Sequence, residues 1–257
     1  MASTKFDTRG STGLSYPPLD GPLLFPELLE YNAEHNPDNP FFVYPGDEGT
    51  SDVRKISHLE FYLACQRVAH AVRPAHQGKD REVVAIMANC DTILYQALFM
   101  GVIYAGLIVR WSVCHGPCCI TEVTFQPFPM SPRNSASPII DMLRKTNCHR
   151  MIASQHSLRD LVSAIRAELS QREEAYHLHI EEPPRLTAVY PHASTETVIS
   201  SFVSFQKAEN RPEKHDIMFY LHSSGSTGFP KPIPVTYLTG NHYCLMRESN
   251  FVIHVAS

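Results

Sequence analysis

The stretch that decides the fold is Ile217-Met-Phe-Tyr-Leu-His222, followed by Ser223-Ser-Gly-Ser-Thr-Gly-Phe-Pro-Lys231. A short apolar run, typical of a buried strand, leads into a loop with two glycines, four hydroxyl residues and a closing lysine. Glycine lets a backbone turn with positive φ and approach an anion closely. Loop N–H groups, hydroxyls and an ammonium all donate to phosphate oxygens. The stretch therefore predicts a strand that feeds a phosphate-binding loop.

This loop has two alternative interpretations. The common NTPase loop, G-x-x-x-x-G-K-[ST], does not fit, because Gly228 is followed by Phe-Pro and no Ser or Thr follows Lys231. A Ser/Gly-rich hairpin or linker without a ligand is the other alternative. An apolar strand before the loop and Pro-Lys after it are not linker features, which favours the phosphate loop.

Composition narrows the class of protein. The 257 residues are 43% hydrophobic and 19% charged, which is ordinary for a globular protein with a core of one large domain or two small ones. A net charge of −4 does not favour nucleic acid or an anionic membrane as a partner. No apolar run reaches the ~18–20 residues of a membrane span, and the first residues lack a signal-peptide core. With seven unpatterned cysteines, these features predict a cytoplasmic location.

Helical and extended patterns alternate along the first two thirds of the chain, which predicts a mostly parallel sheet covered by helices. Residues 172–212 are polar and contain prolines, and are predicted to form a long connection. The predicted elements are a helix over Leu23–Asn36, a strand over Pro40–Tyr44, a helix after the capping box Ser57–Glu60, a strand over Val83–Met87, a helix capped by Asp91 and ended by Gly106, a helix opened by Ser137-Pro138, a strand over Met151–Ala153 and a helix over Leu158–Gln171.

The loop resembles the phosphate loop of the adenylate-forming superfamily, [ST]-[ST]-G-[ST]-T-G-x-P-K. A second segment, Pro127-Phe-Pro-Met-Ser-Pro-Arg-Asn-Ser135, looks like the one at the matching place in fungal nonribosomal-peptide-synthetase-like reductases, which are related in plan to aminoadipate and carboxylic acid reductases. The resemblance covers roughly residues 20–108 and 127–240. It implies the α/β N-terminal subdomain of the adenylate-forming fold, with a mostly parallel sheet flanked by helices, in an incomplete form.

The resemblance also implies a two-step reaction. A carboxylic acid attacks ATP to give acyl-AMP and pyrophosphate, and the thiol of a phosphopantetheine carrier then captures the acyl group. Carrier and reductase domains are the partners in the intact family, and ATP and Mg²⁺ are the cofactors. The phosphate cradle that the resemblance assigns consists of Ser223, Ser224, Gly225, Ser226, Thr227, Gly228 and Lys231.

Within this cradle, Thr227 and Lys231 are the catalytic candidates, with Thr227 also on the metal side. His222 is a candidate for the border of the acyl pocket. Its alternative is a strand-end histidine bonded to a backbone carbonyl. Tyr237 stands where the family usually has the histidine of a Thr-His pair, and it is a second weak pocket candidate.

Residues 109–126 interrupt the resemblance, because the family pattern runs from Ile108 directly into Pro127. The segment spans 18 codons, and its ends can be encoded as fungal splice sites, so it is interpreted as a retained intron that leaves the sheet as a loop without a strand partner. A zinc knuckle is the alternative, although adjacent cysteines make tetrahedral chelation awkward. Its ligands would be Cys114, His115, Cys118 and Cys119.

The expected organisation is a disordered tail over 1–19, a truncated adenylation domain over 20–247 and an atypical tail over 248–257. The family's ribose, adenine and hinge segments lie beyond the phosphate loop and are not found in this sequence. An adenylating enzyme that is inactive alone is therefore the leading hypothesis. The alternatives are a non-catalytic interaction module and an unrelated ATP-binding protein.

Overall fold

A six-stranded sheet in the order β6-β5-β3-β4-β7-β8 forms the centre of the computed structural model, and β8 alone runs antiparallel to its neighbour. The structure describes residues 13–18, 23–45, 53–111, 135–171, 176–191, 203–206, 211–223, 229–245 and 253–254. The strands of this sheet are β3 (Val83–Met87), β4 (Ile108–Trp111), β5 (Arg150–Ala153), β6 (His179–Glu181), β7 (Ile217–His222) and β8 (Pro232–Thr236).

Helices cover both faces of this sheet. Along β3, Val84 and Ile86 face one cluster of buried side chains, while Ala85 and Met87 face the other. This alternation of period two is what a strand buried on both faces requires. The helices are α1 (Phe25–His35), α2 (His58–Val72), α3 (Thr92–Tyr104), α4 (Ala136–Lys145), α5 (Arg159–Gln171), α6 (Leu186–Val189) and α7 (Tyr237–Leu245). The predicted α/β class with a mostly parallel sheet is confirmed.

Local signals placed several elements correctly. The Ser57 hydroxyl accepts a hydrogen bond from the Glu60 N–H at 3.2 Å, and the Glu60 carboxylate accepts one from the Ser57 N–H at 2.8 Å, as the capping box requires. Strand β3 has the predicted bounds, Val83–Met87, and Gly106 has a φ of +78° just after α3. Asp91 occupies the N-cap position of α3, but its side chain makes no capping hydrogen bond there.

Two predicted boundaries are wrong. Helix α4 begins at Ala136 with Ser135 as its N-cap, so Pro138 lies at the third helical position and does not open the helix. Residues 13–18 lie within the predicted disordered tail, but Ser15 is hydrogen-bonded to two side chains in and just after α1. Its backbone N–H donates to Asn36 Oδ1 at 2.9 Å, and its hydroxyl bonds the Tyr31 hydroxyl at 2.7 Å.

The predicted connection over residues 172–212 contains more structure than its polar composition indicated. It supplies β6, which adds a parallel strand beside β5, and the short helix α6. It also inserts the side chain of Phe205, which is 2% exposed, against α2. There the Phe205 N–H donates to Gln66 Oε1 at 2.9 Å, so one buried amide fixes a segment that has no regular structure.

Strand β4 contains the first three residues of the segment over 109–126. Val109 is fully buried and lies between Val84 of β3 and Phe219 of β7, and Arg110 and Trp111 continue the strand beside β3. The expectation that this segment lacks a partner is therefore wrong for its first three residues. These residues are held by backbone pairing in the sheet, and the Val109 side chain also packs in the core. The remaining residues, 112–126, lie outside the described part of the chain, and with them the four proposed zinc ligands.

A second, smaller sheet has the order β2-β1-β9. Strands β1 (Pro40–Pro45) and β2 (Val53–Ser57) are antiparallel, and β9 (Ile253–His254) lies parallel to β1 on its other side. Strand β9 comes from the tail over 248–257 that matched no expected pattern. This tail therefore contributes to the fold.

No helix in the described ranges is both long enough and apolar enough to cross a lipid bilayer.

Candidate phosphate-binding hairpin

Strands β7 and β8 form a hairpin, and the predicted phosphate loop is the connection between them. His222, the last residue of β7, lies opposite Pro232, the first residue of β8. One step further into the loop, the Ser223 N–H donates to the Lys231 carbonyl at 3.1 Å, and the Lys231 N–H donates to Ser223 Oγ at 3.3 Å. These two bonds close the base of the loop. The hairpin alternative and the phosphate-loop prediction are therefore compatible, since the loop lies within a hairpin.

Of the predicted cradle, the structure describes only its two ends. Ser223 is half-buried at the end of β7, and Lys231 is exposed at the start of β8. The five residues between them in the prediction lie outside the described residues, and their assigned roles stay predictions. They are Ser224, Gly225, Ser226, Thr227 and Gly228.

The two described ends have the donors that a phosphate needs. Ser223 Oγ accepts from the Lys231 N–H, which leaves its hydroxyl hydrogen to donate elsewhere. In the described part of the chain, no carboxylate pairs with the Lys231 ammonium, whose charge therefore faces solvent at the mouth of the hairpin. A hydroxyl and an ammonium on adjacent strands, with no acidic group between them, form a set that favours an anion.

The hairpin opens at the carboxyl edge of the parallel strands. Strand β7 runs parallel to β4, and β4 to β3, so the ends of all three strands reach the same edge as the loop. At the same edge, the Asn89 N–H just after β3 donates to Ser154 Oγ just after β5 at 2.9 Å, which links the ends of these two strands. Ligands in open parallel sheets bind outside the carboxyl ends of the strands, and the hairpin places the predicted loop there.

The structure does not bring the two weak pocket candidates together. His222 lies at the base of the loop, where its assignment to an acyl pocket stays a prediction. Tyr237 follows Thr236, which lies opposite Ile217 at the other end of β7, five residues and therefore roughly 17 Å from His222 at ~3.3 Å per residue. Its ring is 4% exposed, and burial raises its pKa to about 12. Tyr237 is a core residue, because β8 carries the chain away from the loop before α7 begins.

Sequence reasoning missed the residues that anchor the far end of this hairpin. The Asp216 carboxylate pairs with the Arg81 guanidinium at 2.6 Å, and that hydrogen bond lowers the pKa of Asp216. The Asp216 carbonyl accepts from the Tyr237 N–H at 3.0 Å, so one residue holds both β7 and α7. No local signal indicates this pair, since its members are far apart in the chain.

A second anchor ties the hairpin region to α1. The Arg211 guanidinium contacts both Glu27 carboxylate oxygens, at 2.6 and 2.7 Å. The Asn241 amide on α7 donates to the Leu23 carbonyl at 2.7 Å, just before α1 begins. Contacts with Leu23 and Glu27 therefore fix the hairpin at the end opposite to its loop.

Comparison with known proteins identifies relatives of this arrangement. The chain is 48% identical over 238 residues to adenylate-forming reductase Nps11 from the fungus Serpula lacrymans, a match that covers 93% of this chain and 20% of that protein. The chain thus spans about a fifth of the length of the curated relatives it matches. No protein-family model matches the chain.

Solved structures give the same result for the fold. The N-terminal subdomain of Klebsiella oxytoca NpsA matches with a TM-score of 0.51 and 16% identity, over 83% of this chain and 42% of that one. A fatty acyl-adenylate ligase from L. pneumophila, solved with acyl adenylate and pyrophosphate, matches with a TM-score of 0.51 and 13% identity, over 83% of this chain and 30% of that one. The predicted resemblance to the adenylate-forming superfamily and to its fungal reductases is confirmed.

Proposed function

We propose that this chain, a relative of the N-terminal part of fungal adenylate-forming reductases, supplies the phosphate-binding hairpin of an ATP-dependent, carboxylate-activating reaction. The observation that carries the proposal is the double hydrogen bond between Ser223 and Lys231, which closes a Ser/Thr/Gly loop at the carboxyl edge of the sheet. The fungal relative is named for adenylate formation. A structural neighbour was solved with acyl adenylate and pyrophosphate, the product pair of this reaction.

In the proposed reaction a carboxylate oxygen attacks the α-phosphorus of ATP, and the bond from that phosphorus to the bridging oxygen of pyrophosphate breaks. The hairpin's task is to hold the β- and γ-phosphates so that pyrophosphate leaves in line with the attack. The Ser223 hydroxyl donates to a phosphate oxygen, and the Lys231 ammonium balances the negative charge that grows on the leaving group. Both residues lie at strand ends, so their backbones are held in place before ATP arrives.

Mg²⁺, when bound, would neutralise phosphate charge beside the loop hydroxyls, with Thr227 as the proposed residue nearest to it. The second step transfers the acyl group to a phosphopantetheine thiol on a carrier domain, and a reductase domain then acts on the thioester. We propose these partners for the longer proteins of this type, in which this chain corresponds to about a fifth of the length.

Calorimetric titration of the 257-residue chain with Mg·ATP, and separately with tripolyphosphate, tests the proposal. Lys231→Ala is expected to weaken both ligands by about tenfold or more, because it removes the charge at the loop mouth. Lys214→Ala is the matched control, since Lys214 is an exposed lysine just before the amino end of β7. It should change affinity less than about twofold. Equal effects of the two substitutions, or no binding of either ligand by the wild-type chain, would overturn the proposal.

A further inference from the structure

The imidazole ring of His149, one residue before β5, lies between two oxygen acceptors. Its Nδ1 is 3.0 Å from the His177 carbonyl oxygen, and its Nε2 is 3.0 Å from Asn147 Oδ1. A carbonyl oxygen and an amide oxygen only accept hydrogen bonds, so each contact needs a proton on the ring nitrogen. A neutral imidazole has one such proton, and the imidazolium has two. Only the protonated ring can therefore make both bonds at once.

The backbone at the end of α4 fixes the first acceptor. Asn147 has a φ of +50°, and its N–H donates to the Arg144 carbonyl at 3.0 Å. The Cys148 N–H donates to the Leu143 carbonyl at 2.9 Å. These two bonds and the left-handed residue form a Schellman motif, which ends the helix and sets the direction in which the Asn147 side chain starts.

The segment that leads into β6 supplies the second acceptor and is docked around the same ring. The Tyr176 ring stacks on the His149 ring with 4.6 Å between centroids, and the Tyr176 hydroxyl donates to the Cys148 carbonyl. The His179 N–H, at the start of β6, donates to the His149 carbonyl at 2.9 Å. His149 therefore joins the end of α4 to the start of the edge strand β6.

The charges near this ring act in both directions. The carboxyl end of α4 favours a cation, because the negative end of the helix dipole lies there. Arg144 and Lys145 oppose a cation, but Lys145 is paired with Asp141 at 2.8 Å, and His149 is exposed to screening solvent. In the described part of the chain, no carboxylate forms an ion pair with His149. The other titratable groups on the adjoining segments are Tyr176, His177, His179 and the Arg150–Glu181 ion pair.

We propose that His149 is a proton-dependent clip that fastens β6 to the sheet. The protonated ring bridges α4 and the segment before β6 with two hydrogen bonds. When the Nε2 proton leaves to solvent, Nδ1 keeps its proton for the His177 carbonyl, and the bare Nε2 faces Asn147 Oδ1. The Asn147 amide can then turn and donate from Nδ2, but a bond between neutral groups is weaker than one from a cation. The clip therefore holds β6 more tightly at acidic than at basic pH.

The chemical shifts of the two ring nitrogens, measured by NMR on the full chain, test the protonation pattern. At about pH 5.5 both nitrogens of His149 should carry protons, and at about pH 8.5 only Nδ1 should. A neutral ring with its proton on Nε2 would overturn the proposal, because the His177 carbonyl would then have no donor from this ring.

Hydrogen exchange of the peptide over residues 177–182 tests the effect on β6. At about pH 5.5, His149→Gln should exchange roughly 3-fold faster than the wild-type chain, and at about pH 8.5 less than about 1.5-fold faster. Comparing both proteins at one pH cancels the intrinsic pH dependence of exchange. His156→Gln is the matched control, since His156 is an exposed histidine beyond the other end of β5, and it should change exchange at neither pH.

An Asn147→Gly background shows whether the amide oxygen is the source of the pH dependence. Glycine accepts the φ of +50° and keeps the Schellman motif, but it removes Oδ1. In this background His149→Gln should have the same small effect at both pH values. A His149→Gln effect that is equal at both pH values in the wild-type background would overturn the clip. So would a pH-dependent effect that persists in the Asn147→Gly background.

Discussion

Ser223 and Lys231 are bonded to each other in both directions across the base of the hairpin loop, with the Ser223 hydroxyl as one of the acceptors. The hydroxyl therefore has two tasks, to fix the start of β8 and to offer a donor to a ligand. Only the second depends on the phosphate. Substitutions at Ser223 separate these tasks, because the hydrogen bond from the Ser223 N–H to the Lys231 carbonyl does not depend on the side chain.

Ser223→Ala is expected to weaken Mg·ATP binding by about threefold to tenfold, while it lowers the free energy of unfolding by less than about 1 kcal/mol. The stability effect is small because the lost bond is exposed and measures 3.3 Å. Ser223→Thr keeps the hydroxyl and is the control. Titration calorimetry and urea unfolding measure the two quantities. A variant that loses stability but keeps full affinity would show that the hydroxyl is structural only.

Helices α2 and α3 pack so closely at Gly101 that a methyl group does not fit. A Cβ at this position would lie 2.6 Å from Val68 Cβ and 2.7 Å from the Cys65 carbonyl oxygen, and a backbone atom cannot rotate away. Gly101→Ala should therefore destabilise the chain by ~1–3 kcal/mol in urea unfolding, despite alanine's better helix propensity.

Gly240→Ala is the matched control for this substitution. Gly240 is also in a helix, but its added Cβ would meet the tip of the flexible Met218 side chain, which can move. We expect a change below ~1 kcal/mol there. Equal costs at the two glycines would contradict the explanation by backbone contact.

His58 makes the stability of the chain depend on pH. Burial lowers its pKa to about 4 from an ordinary value of 6.5, and its ring contacts Phe41 at 5.3 Å between centroids. Between pH 6.5 and about 4 the unfolded chain binds a proton at this site and the folded chain does not, so the contribution of His58 to stability falls as the pH falls through this window.

Replacing this histidine isolates its contribution. The difference in unfolding free energy between wild type and His58→Gln should be constant above pH 7 and should shrink or reverse in favour of the variant from pH 6.5 toward pH 4. Urea unfolding at several pH values measures it. A difference that is independent of pH across this range would show that the His58 pKa is not lowered in the folded state.

Deletions test the retained-intron interpretation at the residue level. One variant joins Ile108 to Pro127, and the other joins Trp111 to Pro127. We expect both to fold, and the first to be at least as stable as the full chain, since it restores the family pattern in which Ile108 is followed directly by Pro127. Urea unfolding compares them. If only the variant that keeps Val109–Trp111 gives folded protein, the sheet requires these three residues themselves and not just an extended chain at their position.

Catalysis by the chain alone is expected to be absent. We predict no carboxylate-dependent exchange of pyrophosphate into ATP by the 257-residue chain, because a phosphate loop positions the leaving group but not the acid. A misplacement of ~1 Å can already cost ~10²-fold in rate. A longer relative of this type should show exchange that falls when the lysine equivalent to Lys231 is replaced. Acid-dependent exchange by this chain alone would contradict the prediction.

Local chemistry explains which parts of the fold could be predicted. The capping box at Ser57, the strand Val83–Met87 and the glycine after α3 depend on neighbouring residues, so the sequence indicates them directly. The three-residue strand β6 is too short for a periodic pattern, and it forms because β5 offers an edge. Its position depends on residues that are distant in the chain.

The same contrast holds for the site. The loop motif predicted Ser223 and Lys231, which the structure places opposite each other at the base of the hairpin loop. It did not predict that Tyr237 would lie at the other end of that hairpin, because direction along a strand is set by topology. The sequence does not indicate the Arg81–Asp216 ion pair either, because only the fold brings these two residues together.

The central position of β4 has a consequence for gene structure. Three of its four residues, Val109–Trp111, lie within the segment interpreted as an intron, yet they pair with the neighbouring strands. A transcript spliced or unspliced at this point would therefore encode two isoforms with one shared scaffold. They would differ first at Val109, inside a central strand, so splicing at this point would change the buried middle of the sheet.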